Sequence, residues 1–310
     1  MTETVIPGLH HVTAISGAPQ ENIDFYVKTL GQRLVKKTVN FDDPGTYHLY
    51  YGDAVGSPGT ILTFFPFVDA GPGRAGKGMA SAVAYGLPLA GLDRWMDCFA
   101  DAAIDFDGPF TRYGERIIAV TDPHGLRIEL IEPATAGPSD ADDTGFHSVT
   151  LWLEEIDATA RLLTEQFGYV ESGHEVSENG ERTRFQSPGH ARGSAIDLLR
   201  SDKASIGRQG AGSIHHIAFR AESDEIQKRW QDKLRGAGMD VTPVIDRQYF
   251  NAIYFREPGG VLFEIATDPP GFAVDEPVET MGSALMLPPQ YEGQRERIEQ
   301  ILPPVRIPNQ

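Results

Sequence analysis

A short strand-like run carrying two adjacent histidines, Gly8-Leu9-His10-His11-Val12-Thr13-Ala14-Ile15, returns late in the chain as Ser213-Ile214-His215-His216-Ile217-Ala218-Phe219. An internal repeat constrains a fold more than any isolated element, because each unit must bury its apolar face against its neighbours. Beyond the second copy, the run Val261-Leu262-Phe263-Glu264-Ile265-Ala266 holds one acid among apolar residues. A lone carboxylate in such a strand needs a cation. One histidine from each pair and Glu264 are therefore candidates to hold a single metal ion.

The repeat unit reads as strand, helix, then three strands, and it fits four times: 7–68, 79–133, 145–200 and 213–268. In the first, Pro19 suits an opening helical turn, apolar residues follow at helical spacing to Leu30, and Gly31 suits a left-handed cap. Strand-like runs at 33–40, 46–52 and 60–66 are separated by Asp42-Asp43-Pro44-Gly45 and Gly56-Ser57-Pro58-Gly59. Helices are expected at about 91–103, 155–167 and 223–235 in the other units, the last with Ser223 as N-cap. The second and fourth units close alike, Asp122-Pro123-His124-Gly125 leading to Glu129 and Glu257-Pro258-Gly259-Gly260 leading to Glu264. A linker is expected at 133–140, and the proline-rich stretch 269–310 reads as a tail that wraps a domain or subunit contact.

Composition narrows the function classes. The chain has 310 residues, enough for a well-buried core, and 44 acidic against 27 basic residues give a net charge of −17, which disfavours nucleic acid and anionic membranes as partners. Its start lacks the pattern of a signal peptide and no run has the length of a membrane span, so a cytoplasmic protein is expected. The one cysteine, Cys98, falls in an expected amphipathic helix and reads as a core thiol.

Four such units, each opening on a Gly/Ser-apolar-His-type strand, resemble the vicinal oxygen chelate superfamily. The resemblance implies an α+β fold of four βαβββ modules, making two cupped, partly open β-barrels with helices outside. Its members include glyoxalase-type isomerases, extradiol dioxygenases and bleomycin-binding proteins, so the site must choose among them. Strand alternation puts Val12/Ala14, Val149/Leu151 and Ile217/Phe219 on an apolar, helix-covered face. His11 and His216 then lie on the more polar face expected to line the cup, while His10 and His215 start on the opposite side. Pairing neighbouring modules puts no two histidines with a glutamate; pairing the first with the fourth assembles His11, His216 and Glu264, with Thr63 in the fourth equivalent position. Two histidines and a carboxylate form the facial triad suited to Fe(II). Modules two and three would then form a barrel without a metal site, with Glu129 structural or a relic ligand position.

The opening strand, the run Asp42 to Gly52 and the run Ile253 to Glu264 resemble more narrowly the hydroquinone-type ring-cleaving dioxygenases. That resemblance implies Fe(II), with Mn(II) as the alternative, bound by His11, His216 and Glu264, a small aromatic substrate and O2 as partners, and a homo-oligomer. It also implies supporting roles for His10, Thr13, His215, Arg247 and Tyr254. The alternatives are an extradiol catechol dioxygenase, a glyoxalase-type isomerase, which Thr63 in place of a fourth ligand disfavours, and a metal-free small-molecule binder. His48 and its tyrosine neighbours read more simply as sheet packing.

Overall fold

The computed structural model describes residues 5–134, 145–189, 192–203, 205–308 and 310. The first unit contains β1 (Leu9–Ser16), α1 (Pro19–Asp24), β2 (Arg33–Asn40), β3 (Asp43–Gly52) and β4 (Ile61–Pro66). The second has β5 (Met79–Gly86), α2 (Gly91–Asp101), β6 (Phe106–Arg112), β7 (Glu115–Thr121) and β8 (Arg127–Glu132). The third has β9 (Phe146–Leu153), α3 (Asp157–Arg161), β10 (Val170–Ser177), β11 (Gly180–Gln186) and β12 (Ala195–Arg200). The fourth has β13 (Ile214–Ala221), α4 (Asp224–Gly236), β14 (Ile245–Asp246), β15 (Phe250–Arg256) and β16 (Leu262–Pro270). Most of the linker expected at 133–140 lies outside the described residues.

The helices end as their sequences predict. The Ser223 side chain accepts from the Ile226 N–H at the start of α4. The first and third helices finish in a single π-helical turn, Phe25–Thr29 and Leu162–Gln166, and the chain leaves through Gly31 and Gly168 at φ of 65° and 76°. Buried positions in α2 are Leu92 and Phe99, with Trp95 partly covered. Cys98, next to Phe99 but about a quarter-turn away, is exposed, which corrects the expectation of a core thiol.

Two eight-stranded sheets result, ordered β14-β15-β16-β13-β1-β4-β3-β2 and β10-β11-β12-β9-β5-β8-β7-β6. The antiparallel pair β1/β13 joins the first and fourth units in one sheet, and β5/β9 joins the second and third in the other. On one face of the first sheet Val12, Ala14, Ile217, Phe219, Phe263 and Ile265 share the main core with Ile23, Trp230 and Leu234 of the helices. The other face carries a separate cluster around Tyr50, Ala218, Tyr249 and Phe250.

The two matching turns have the same construction. Asp122 accepts from the N–H groups of His124 and Leu126, and Glu257 from those of Gly259 and Val261. Each acid is also reached from another unit's helix, Asp122 by the Tyr26 hydroxyl and Glu257 by the Thr159 hydroxyl. These bonds tie the two sheets together across their helical layer. The tail runs along the edge strand β2, where Lys36, fully buried, meets Asp275 at 2.5 Å and Glu276 at 2.6 Å. Met286 N–H donates to the Lys37 carbonyl, so the tail covers a strand edge that would otherwise invite pairing.

Candidate metal centre

Register explains why the two histidine pairs converge. Along β1 and β13, Thr13 stands opposite His216 and His11 opposite Ala218, while β16 places Glu264 beside Ala218. One ligand atom from each of His11, His216 and Glu264 lies within 4.8 Å of the others, and all three residues are buried. Glu264 Oε2 is 2.9 Å from His216 Nε2 and 3.4 Å from His11 Nε2. Among the described residues, neither Glu264 oxygen, nor His216 Nε2, has a hydrogen-bond partner. The short separations are thus contacts of poor hydrogen-bond geometry. Burial opposes the charge on Glu264, but the two histidines hold its carboxyl far below the usual range. A fully buried carboxylate without a hydrogen bond, facing two imidazole nitrogens, is a donor set that fits a divalent transition metal.

His10 and His215 stand elsewhere than simple alternation predicts. The β1/β13 register skips His10 between Leu9 and His11, and skips His215 between Ile214 and His216. Each is the extra residue of a β-bulge, which re-aims its side chain toward the cup. His10 Nδ1 meets His11 Nδ1 at 2.9 Å, and His215 Nδ1 meets His216 Nδ1 at 2.8 Å. Burial first, and the adjacent histidine second, lower the pKa of His10 to about 3 and of His215 to about 4. Both are therefore neutral at ordinary pH.

A cavity of about 620 Å³ opens over the three residues. Arg247 and Tyr254 line it, as do His215 and the aromatic side chains Phe65, Phe67 and Phe250. Arg247 Nε donates to the Tyr254 hydroxyl at 3.3 Å and its Nη1 reaches Asp42 of the first unit at 3.1 Å. Burial, then the charge of Glu264, push the Tyr254 hydroxyl up, so it keeps its proton. Thr13 is fully buried behind the site and accepts from the Thr63 hydroxyl at 2.9 Å.

His48 is the site residue that sequence reading undervalued. It lines the cavity; its Nε2 lies 2.9 Å from Thr63 Oγ1, and its Nδ1 lies 2.7 Å from the Tyr50 hydroxyl. Burial and then His11 and His216 hold it neutral. Because Thr63 donates to Thr13, the one N–H of His48 sits on Nε2 and Nδ1 accepts from Tyr50. The signal was the spacing His48-Leu49-Tyr50: residues two apart on a strand share a face.

The second sheet repeats the bulges, at Ser81 and His147, but Ala82 and Ser148 replace the two histidines. Its glutamate, Glu129, is taken by Arg112 through both terminal nitrogens at 2.7 and 3.1 Å. Among the described residues, the first sheet's cup alone groups three such donors.

Paired βαβββ units around one such cup define a metal-site scaffold of glyoxalase type, and sequence relationships agree. The profile of the Glyoxalase/Bleomycin resistance protein/Dioxygenase superfamily matches residues 8–130 and 140–265, and the chain belongs to this superfamily. It is 47% identical over 97% of both chains to MhqO of Bacillus subtilis (strain 168), named as a ring-cleaving dioxygenase. It is 34% identical, over 94% of this chain and 95% of the other, to the chlorohydroquinone/hydroquinone 1,2-dioxygenase of Sphingobium indicum. A crystal structure of a Bacillus subtilis protein described as a dioxygenase superposes with a TM-score of 0.91 at 46% identity, covering all of both chains. Maize glyoxalase I, at 14% identity and a TM-score of 0.64 over 84% of this chain and 92% of the other, shares the fold alone. Full-length likeness to these relatives places the chain with the ring-cleaving dioxygenases. Among the described residues, no helix is long and apolar enough to cross a membrane.

Proposed function

We propose that this enzyme is an Fe(II)-dependent dioxygenase that opens the ring of hydroquinone-type, para-dihydroxylated aromatics, chlorinated ones included. The observation that carries the metal site is the buried Glu264 carboxylate, without a hydrogen bond, between two histidine Nε2 atoms. The substrate class comes from the hydroquinone dioxygenase among its full-length relatives.

His11, His216 and Glu264 would hold the ion beneath the cavity; Mn(II) is the alternative metal. Fe(II) bound there supplies the electron transfer between a phenolate and O2 that ring cleavage requires. His10 and His215 accept from the Nδ1–H of the ligand rings, which fixes each ring's tautomer and leaves Nε2 as its lone-pair donor. The ring is seated between the aromatic walls, which exclude water from the reacting face. Arg247, permanently cationic, attracts the phenolate and orients Tyr254 through the hydrogen bond it donates. The Tyr254 hydroxyl keeps its own hydrogen to donate to a substrate oxygen. Thr13 holds the floor through Thr63. The site is one for a reducing cytoplasm, where Fe(II) and a single unpaired thiol both persist.

Anaerobic purification, metal analysis and oxygen uptake with hydroquinone and catechol test this. Iron at one per chain and hydroquinone-dependent uptake, with both atoms of labelled O2 in the product, are expected. Absence of uptake after Fe(II) reconstitution overturns the proposal; cleavage of catechol alone transfers the enzyme to the extradiol class.

A further inference from the structure

The cup of the second sheet has lost its histidines but has kept a cavity, about 590 Å³ in volume. Its charged lining reverses the sign of the whole chain: Arg112, Arg127, Arg182 and Lys203 stand against Asp107 and Glu129, in a protein with 44 acidic and 27 basic residues. Two of these arginines are already engaged. Arg112 closes on Glu129, and Arg127 reaches Glu129 at 3.3 Å and Asp107 at 2.7 Å. Behind the wall, Arg184 presents its Nε–Nη2 edge to Asp197 as a two-point clasp, at 2.7 and 3.2 Å.

Arg182 differs. It bonds through Nη1 alone, to Thr150 Oγ1 at 2.7 Å and Asp197 at 3.3 Å. Its Nε–Nη2 edge, the same edge that Arg184 uses, makes no hydrogen bond among the described residues, and the side chain lines the cavity while only 15% exposed. Arg184 also meets Glu115 at 2.6 Å, so Asp197 serves both arginines, and Arg182 touches it through one nitrogen only, at 3.3 Å. Burial, and then the charge of Arg112, lower the pKa of Arg182. An open guanidinium edge with two parallel N–H groups matches a carboxylate. Beside it the wall is apolar, with Ala80, Leu126, Leu199 and Ile214, and can receive a short carbon chain.

We propose that this second cup binds a small organic carboxylate, clasped by the Nε–Nη2 edge of Arg182. The site is separate from the metal cup and does not rest on the ring-cleaving reaction. Trp152 also lines the cavity and reports on it.

The test titrates cis,cis-muconate into the metal-loaded full chain, followed by tryptophan fluorescence and calorimetry. Saturable binding at a single site is expected. Arg182→Lys keeps the charge but loses the planar two-point edge, and is expected to weaken binding about ten- to a hundredfold. Trp152→Phe removes most of the fluorescence response while calorimetric binding persists. Glu264→Gln, which alters only the metal cup, leaves the affinity unchanged. Three results overturn the proposal: no saturable binding, binding lost in Glu264→Gln but retained in Arg182→Lys, or equal binding of the dimethyl ester. Equal competition by inorganic phosphate overturns the organic carboxylate class. No readout uses turnover, so failure here is distinguishable from failure of the proposed activity.

Discussion

Arg112 and Arg247 occupy the same station in their units, but only Arg112 closes on its glutamate. Each precedes by three residues the strand that pairs with the acid-bearing strand, where Ala119 faces Glu129 and Tyr254 faces Glu264. Arg112 neutralises Glu129 directly. Arg247 is drawn away to Tyr254 and Asp42, which leaves Glu264 for an ion. The guanidinium position thus adds to the exchange of His11 and His216 for Ala82 and Ser148 in separating a metal cup from a salt-bridged one.

Substituting the two glutamates should have opposite consequences. Glu264→Gln is expected to abolish oxygen uptake and metal retention, and the metal should no longer raise the unfolding temperature. Glu129→Gln leaves metal content and turnover intact but takes the paired carboxylate from Arg112, which then has Asp197 alone at 3.9 Å, and is expected to cost about 3 kcal/mol in urea unfolding. An active Glu264→Gln enzyme would refute the ligand assignment.

Removing the acceptors behind the ligands should weaken the metal without removing a ligand. His10→Phe or His215→Phe is expected to lower metal affinity about 10–100-fold, measured by competition with a chelator. His10→Asn, whose carbonyl can again accept, should recover part of it. Equal affinity in the Phe variants would show that the close Nδ1 contacts do not set the ligand tautomers.

The hydrogen-bond chain through His48 makes a different prediction. Thr63→Val breaks its middle link, leaving His48 Nε2–H without an acceptor and Thr13 without a donor. A loss of about 1–3 kcal/mol in stability follows. Because His48 forms cavity wall, KM for the aromatic should rise more than kcat falls, and an unchanged KM would contradict a seating role.

How much of this could be read from residues alone depends on local regularity. Strand alternation and helical spacing located the elements, since α2 and α4 carry apolar stripes and Gly31 and Gly168 end their helices where a left-handed residue is needed. The convergence of His11, His216 and Glu264 was legible because the repeat maps one strand onto another. The positions of His10 and His215 were not, because a bulge inserts one residue and cancels alternation without a distinctive residue type. The Arg112–Glu129 and Arg184–Asp197 pairs were equally hidden. They join strands whose register a sequence does not display, and Cys98 went astray because one position on a short helix decides burial.

The acid limb of stability should report on the second cup. Glu115 accepts from His147 Nε2 at 3.0 Å and from Arg184 Nη1 at 2.6 Å. Burial opposes its charge, but the His147 hydrogen bond and the charges of His147 and Arg184 outweigh it and bring the carboxyl from 4.5 down to about 2. A group with a depressed folded pKa contributes its full stabilisation above the unfolded value and loses it as pH falls through the folded one. The window here runs from about 4.5 to about 2. By about pH 3 the wild type should have lost roughly 2 kcal/mol from this group, at 1.36 kcal/mol per pKa unit. Glu115→Gln starts lower at pH 7 because Arg184 and His147 lose a partner, but it lacks that component of the acid loss. Urea unfolding at both pH values isolates it, since the remaining carboxylates titrate in both proteins and cancel in the difference. Parallel acid losses would place Glu115 outside the ion network of this cup.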